Sequence, residues 1–292
     1  MKSSFSQTIR VGQSEVTRFG YGAMRLSGPV MFGFPADRDN ARKVLHRAVE
    51  LGVNFIDTAD SYGPQANEVV IADALAPYKS ELVIATKSGC VNGGPNTPPP
   101  WPVIGRPEYI YQQVELSLRN LKVERLDLWQ LHAVDSTVPI EETLGAAIKL
   151  QEQGKIKDIG LSNVTLEDIE RARKVAEIVS VQNLYNIAYR DQEPVVEFCE
   201  KHGMAFLPYF PMGGGLLPMP DEMLAQAAQR YDATASQLCL AWLLHRSPAI
   251  LPIPGTSSLA HLEENMKSTA LTLTDDQWAE IEAAVAAARG AA

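Results

Sequence analysis

Short β-branched or aliphatic runs alternate along the chain with amphipathic stretches of helical length, eight such pairs in all, and no low-complexity linker interrupts them. That alternation predicts an α/β fold in which helices cross a parallel sheet, and eight units predict a closed (β/α)8 TIM barrel. A chain of 292 residues with 46% apolar content is long enough to bury the core of one such barrel, and its length also suits two smaller domains. The unbroken alternation makes residues 1–292 one domain in this reading.

The elements follow in order. TIRVGQSEVTRFG reads as a hairpin across the bottom of the barrel. The eight strands are VTRFGYG (16–22), VNFID (53–57), ELVIATK (81–87), LDLWQLH (126–132), IKDIGLS (156–162), IVSVQN (178–183), MAFLPYF (204–210) and AILPIPG (249–255). Helical periodicity is clearest in ARKVLHRAVELG, where Val44, Leu45, Ala48 and Leu51 form one stripe. In TLEDIERARKVAE, Thr165 and Asp168 stand at capping-box spacing. TDDQWAEIEAAVAAARG predicts an additional C-terminal helix. Three connections are long: AMRLSGPVMFGFPADRD, SGCVNGGPNTPPPWPVIGRPE and PMGGGLLPMP. All three follow strand C-termini, the face on which barrels of this kind build their sites, so they are expected to wall a substrate pocket.

Composition narrows the function. With 35 acidic against 26 basic residues and no basic run, the net charge of −9 excludes a nucleic-acid partner. Cys90, Cys199 and Cys239 are spaced for neither a disulfide framework nor paired metal ligands, which points to a reducing, cytoplasmic setting. MKSSFSQTIR has no apolar core of signal-peptide length, and no stretch approaches the ~18 apolar residues of a membrane span. His46, His202 and His245 fall in helical segments without metal-ligand spacing, so no metal is expected. GYGAMR lacks the third glycine of a Rossmann fingerprint, none of the nine tyrosines has a lysine four residues on, and GLSNV is not a nucleophile elbow.

The chemistry-bearing groups sit where strands end. Asp57 closes the second strand, Lys87 the third and His132 the fourth, with Tyr62 five residues beyond Asp57. Singly, each has an ordinary explanation as a turn former, a solvated lysine or a satisfied histidine. Together, three polar groups closing three successive strands are not a packing pattern. Asp57 is expected to pair with Lys87, and the ammonium to draw the phenol of Tyr62 below its usual pKa of ~10, making it an acid. His132 can hydrogen-bond an oxygen of the reacting group. The set suits protonation of a carbonyl oxygen. Asp60 reads as a turn residue.

With those residues in view, the whole chain resembles the aldo-keto reductase family, whose Asp, Tyr, Lys and His tetrad corresponds to Asp57 and Tyr62 of IDTADSYG, Lys87 of ATKSG and His132 of LHAVD. The resemblance implies a NAD(P)H-dependent oxidoreductase that reduces an aldehyde or ketone to an alcohol. It places Gly22, Met24 and Asp57, then Ser162, Asn163 and Gln182, at the cofactor, the last three on the carboxamide. Tyr209 stacks on the nicotinamide beside Phe210 and Pro211, and the pyrophosphate lies near Gly213 and Gly255. Gly255, Thr256, Ser257, His261, Glu264 and Asn265 of IPGTSSLAHLEEN take the adenosine and 2′-phosphate. Many members carry Lys or Arg in that segment, whereas Gly255, Ser257 and His261 stand here. NADPH is the expected cofactor, with NADH open.

Substrate recognition is assigned to the loop aromatics Phe32, Phe34 and Trp101, which suit a flat aldehyde or else pack beneath their own loops. The motifs are similar to those of bacterial members that act as pyridoxal reductases, making pyridoxal one candidate; the short C-terminus suits an open, permissive site equally. The same barrel also resembles cofactor-binding subunits that regulate channels with little turnover, a second class that fold alone leaves open. Oligomeric state is not encoded in any of these features.

Overall fold

The first two strands, β1 (Thr8–Val11) and β2 (Ser14–Thr17), form the expected antiparallel hairpin. Its turn is pinned to the barrel, because the Gln13 amide donates to Asp158 Oδ2 at 3.1 Å and Lys157 Nζ donates to Ser14 Oγ at 2.8 Å. In this computed structural model residues 8–97, 101–213, 215, 217 and 219–290 are described. Residues 1–7, which carry the leader expectation, residues 98–100, 214, 216 and 218 of two long loops, and residues 291–292 lie outside the described residues.

Seven strands then run parallel in chain order: β3 (Tyr21–Gly22), β4 (Phe55–Asp57), β5 (Val83–Ser88), β6 (Leu126–Leu131), β7 (Ile156–Ser162), β8 (Ile178–Gln182) and β9 (Ala205–Phe206). The helices between them are α1 (Arg38–Glu50), α2 (Ala66–Leu75), α3 (Pro107–Leu121), α4 (Ile140–Glu152), α5 (Leu166–Ala172) and α6 (Glu193–His202). After β9 come α7 (Asp221–Gln229), α8 (Ala235–Arg246), α9 (Leu259–Met266) and the additional α10 (Asp275–Gly290). Local sequence explains their starts: Asp37 caps α1 through the Asn40 amide, and Thr165 and Asp168 complete a capping box on α5.

Three expected strands differ: the run 204–210 pairs regularly only over the two residues of β9, and two others depart further. The run 16–22 divides into the end of β2 and the start of β3, because Arg18 turns its guanidinium into the wall and donates to the carbonyls of Leu244, Ser247 and Ile250. The run 249–255 lies in the barrel wall yet forms no regular strand, since Pro252 and Pro254 have no N–H to give to a ladder. It closes the barrel with acceptors instead. Gly20 N donates to Pro252 O at 2.8 Å and Gly22 N to Pro254 O at 3.2 Å, while Phe206 N and Leu251 N bond across to the other side.

Strand periodicity then separates two cores. Outward-facing residues such as Ile56, Ile84, Trp129, Ile159 and Val181 pack under the helices. Inward-facing Phe55, Val83, Ala85, Leu128, Ala205, Leu207 and Leu251 fill the barrel over the hairpin's Val11 and Val16. Two residues further toward the strand C-termini the inward positions change character. Phe55 gives way to Asp57, Ala85 to Lys87 and Leu128 to Gln130. The apolar plug thus forms the dry floor beneath a layer of polar side chains.

Candidate active site

A cavity of about 670 Å³ opens on that face, with Asp57, Tyr62 and His132 in its wall. Lys87 is fully buried just behind them. Its Nζ donates to Asp57 Oδ2 at 2.7 Å and to Thr58 O at 2.8 Å, and lies 5.1 Å from the centroid of the Tyr62 ring. Asp57 Oδ1 accepts from Gln182 Nε2 at 2.8 Å and Gln130 Nε2 at 3.2 Å. The carboxylate is therefore saturated, with the ammonium on one oxygen and two amides on the other. The Tyr62 and His132 rings meet edge to face, 5.9 Å between centroids.

The electrostatics correct one expectation. The Tyr62 phenol is not drawn below its ordinary range; burial pushes it well above, and Asp57 adds to that. A phenolate in this dry pocket has lost its water, and the charge of Lys87 is largely spent on Asp57. Burial likewise holds the Lys87 ammonium below the usual lysine range, opposed by Asp57. Burial, then Lys87, bring His132 down to about 3, so its imidazole is neutral at physiological pH. His132 Nδ1 lies 3.3 Å from Ser61 Oγ. If the serine hydroxyl donates there, the ring proton sits on Nε2 and the histidine is a neutral hydrogen-bond donor.

The opposite wall is backbone. Gly22 and Gly255 line the cavity at their closest approach to one another. A Cβ on Gly255 would stand 2.5 Å from Gly22 O, and one on Gly22 would stand 2.6 Å from Ile253 O. Met24, Ser162, Asn163, Gln182, Tyr209, Phe210 and Pro211, all expected at the cofactor, also line it. Asn163, at φ 54°, donates from Nδ2 to His132 O at 2.9 Å and accepts from Tyr209 Oη at 2.8 Å. That bridge fixes the Tyr209 ring in the wall.

Other expected residues lie elsewhere. Gly213 stands just outside the lining, its amide donating to Phe210 O at 3.0 Å. Thr256 and Ser257 just before α9, and His261, Glu264 and Asn265 within it, lie beyond the cavity lining. Thr256 Oγ1 already accepts from Ser258 N, Ser257 O from Asn40 Nδ2, and Glu264 Oε1 from Thr234 Oγ1. Asn265 is buried.

Of the three loop aromatics, Trp101 alone lines the cavity. The proline-rich loop folds back on itself there, with Val91 N donating to Pro102 O and Ile104 N to Gly89 O, both at 2.8 Å. Phe32 and Phe34 are 39% and 41% exposed and take no part. Positive φ at Val30 and Met31 turns the chain so that Met31 enters the cavity and the next side chain leaves it. Phe34 instead carries the Arg38 guanidinium 3.6 Å above its ring.

The sequence reading overlooked several neighbours. Gln130, two residues before His132, shares its inward face by strand alternation, which was sufficient signal. Cys90 and Met212 in the wall follow no period, being on loops. Asp60 does sit in a turn, its carbonyl accepting from Gln65 N. Its side chain, however, is buried, with neither oxygen hydrogen-bonded. Among the described residues no cluster of His, Cys, Asp and Glu could hold a metal ion, and no helix is long and apolar enough to cross a membrane.

Comparisons with known proteins agree with this fold. Residues 18–286 match the model of the Aldo/keto reductase family. Pyridoxine 4-dehydrogenase of Escherichia coli K12 is 44% identical over 277 residues, covering 93% of this chain and 96% of that protein. An uncharacterized oxidoreductase of Schizosaccharomyces pombe is 42% identical over 280 residues, covering 96% and 90%. An aldo-keto reductase of Klebsiella pneumoniae solved in complex with NADPH superposes with a TM-score of 0.81 at 26% identity, covering 95% of this chain and 94% of that one. The match of the family model over residues 18–286, the relatives covering more than nine-tenths of the chain, and the (β/α)8 barrel with Tyr62 in the cavity at its C-terminal mouth make this protein an oxidoreductase of the aldo/keto reductase family.

Proposed function

We propose that the protein reduces an aldehyde or ketone to the alcohol using NADPH, with NADH as the weaker cofactor, and that Asp57, Tyr62, Lys87 and His132 carry the reaction. The observation behind this reading is the Tyr62 hydroxyl in the cavity wall, backed by the buried Lys87–Asp57 pair and flanked by His132. The dinucleotide fits the residues present. Gly22 and Gly255 give the cavity a stretch of bare backbone wall, and Ser162, Gln182 and Tyr209 line it with hydroxyl, amide and ring. When bound, the reduced nicotinamide supplies the hydride to the carbonyl carbon.

The chain's own residues do the rest. His132, neutral, donates a hydrogen bond to the carbonyl oxygen and stabilises charge as it develops there, a contribution whose loss costs ~10²-fold or more in comparable sites. Tyr62 gives its hydroxyl proton to that oxygen. Its high affinity for the proton keeps it loaded at neutral pH, and transfer proceeds because an alkoxide is a much stronger base than a phenolate. Lys87 then faces the new phenolate and stabilises it, while Asp57 keeps the ammonium in place. The plug beneath the polar layer and the apolar walls exclude water.

For substrate, an aromatic aldehyde of pyridoxal type is the favoured class. Trp101, Met24, Met31 and Met212 offer a ring and polarizable thioethers for a flat aromatic ring, and the E. coli relative is a pyridoxine 4-dehydrogenase. Following the loss of NADPH absorbance with pyridoxal and a panel of aldehydes tests this, with Tyr62→Phe as the control. The wild type is expected to turn over saturably, and the variant to lose ~10²–10⁴ in kcat with dinucleotide affinity unchanged. Tight NADPH binding without turnover of any carbonyl would instead favour a regulatory role.

A further inference from the structure

Asp60 is held in place by its backbone: its amide donates to Lys87 O at 3.0 Å and its carbonyl accepts from Gln65 N at 2.5 Å. Its side chain is 3% exposed. Neither carboxyl oxygen makes a hydrogen bond of normal geometry, the adjacent Ser61 amide giving only partial support, and they are the only such buried side-chain atoms identified among the described residues. An ionised carboxylate in that condition is very costly, and proteins resolve it by keeping the proton.

The surrounding charges point the same way. Glu68 faces Asp60 from α2, Lys87 from β5, Cys90 from the loop after β5, Tyr109 from α3 and Tyr62 from the same turn. Lys87 is the one cation in this group and already bonds Asp57. Glu68 is itself fully buried, its oxygens taken by Thr86 Oγ1 at 2.7 Å and Asn120 Nδ2 at 3.2 Å. Asp57 and Asp60 therefore compete for one ammonium in a dry interior, with the Glu68 carboxyl acting on Asp60. Asp57 has it.

We infer that Asp60 is maintained as a neutral carboxylic acid and is a positioning residue of this site: uncharged, it leaves the Lys87 ammonium to Asp57 and Tyr62, whereas its ionisation would put a further carboxylate beside the tetrad. This role rests on the proposed carbonyl reduction; the protonation state does not. Burial, then Glu68, push the Asp60 carboxyl well above the usual carboxylate range, with the Ser61 amide and then Lys87 opposing. A carboxyl that keeps its proton at neutral pH ionises as pH rises further, so its effect on the reaction belongs to the alkaline side.

Two measurements test it. In the infrared spectrum of the wild type at pH 7, a protonated-acid carbonyl band is expected that disappears in Asp60→Asn and, in the wild type, as pH is raised. In the pH dependence of kcat, Asp60→Asn is expected to keep at least half of the wild-type rate at pH 7 and to shift the alkaline decline upward by a full pH unit or more. Glu68→Gln, which removes a negative neighbour, shifts the same decline downward. Absence of the band refutes the inference whether or not the protein turns over a carbonyl. So does an alkaline limb unmoved in both variants, or a folded Asp60→Asn protein that has lost more than 100-fold at pH 7.

Discussion

Replacing Asp57 by Asn leaves the Lys87 ammonium without its counter-charge, in a position where its side chain is 0% exposed and that of Asp57 is 4% exposed. Removing one partner of a buried ion pair costs about 3–5 kcal/mol, because the remaining charge is neither paired nor hydrated. An independent bound agrees: a lysine that escapes by releasing its proton at pH 7, from an ordinary pKa of about 10.4, gives up about 4.6 kcal/mol. Gln182 and Gln130, which both donate to Asp57 Oδ1, can keep the oxygen of the asparagine, so they add little. A destabilisation of about 3–5 kcal/mol corresponds to a midpoint lowered by roughly 5–8 °C for a chain of this size. Urea unfolding at pH 7 and pH 10 measures it, in the wild type, Asp57→Asn, Lys87→Met and the double variant. Two signatures are expected. The Asp57→Asn penalty shrinks toward pH 10, where lysine deprotonation is cheap, and it shrinks again in the Lys87→Met background, giving a coupling of about 2 kcal/mol or more. A penalty below about 1 kcal/mol at pH 7, or one of equal size with methionine at position 87, would refute the buried-pair account.

Three further outcomes follow from geometry already described. Because His132 titrates at about 3, no ionisation of this group shapes the activity between pH 5 and 9, and His132→Gln, which keeps a neutral donor, retains roughly tenfold more kcat than His132→Ala. A pH–rate inflection near 6.5 that vanishes with His132 would contradict this. Gly255→Ala puts a methyl group 2.5 Å from Gly22 O, so the backbone wall must shift, and fluorescence titration is expected to show at least tenfold weaker dinucleotide binding; unchanged affinity would remove the glycine wall from the cofactor site. Asp60 holds a proton that the unfolded chain has released above pH ~4, so wild-type stability falls as pH rises through that range. Asp60→Asn has no such linkage, and its stability relative to the wild type is expected to increase from pH 4 to pH 7 in denaturant titrations; a constant difference would show Asp60 ionised.

How much of this could be read in the chain depends on which physical rule governs each position. Period-two alternation governs β4, β5 and β6, so the inward placement of Asp57, Lys87 and His132 follows from counting back from buried Phe55, Ala85 and Leu128. Capping chemistry is as local, and Thr165 with Asp168 behaves as its spacing predicts. The eighth segment reads as a strand by composition, but its prolines decide its hydrogen bonding. Loops have no period. Phe32 and Phe34 fit an aromatic pocket by type, and backbone turns at Val30 and Met31 send them to the surface instead. The acidity of Tyr62 illustrates a different limit. A neighbouring cation is visible in sequence order, whereas the desolvation that outweighs it depends on the whole packed barrel.

The proline-bearing stave has a mechanical consequence. A barrel is a sheet without free edges, yet here one seam is stitched by lone carbonyls, those of Pro252 and Pro254, and tightened by Arg18 reaching across to Ile250, Ser247 and Leu244. Breathing of the cylinder should start along that line, and the amides of Gly20 and Gly22 should exchange with solvent sooner than those of β6 or β7. Gly22 and Gly255 flank the same line, so whatever docks against them spans it like a clasp and couples occupancy of the mouth to the tightness of the whole cylinder.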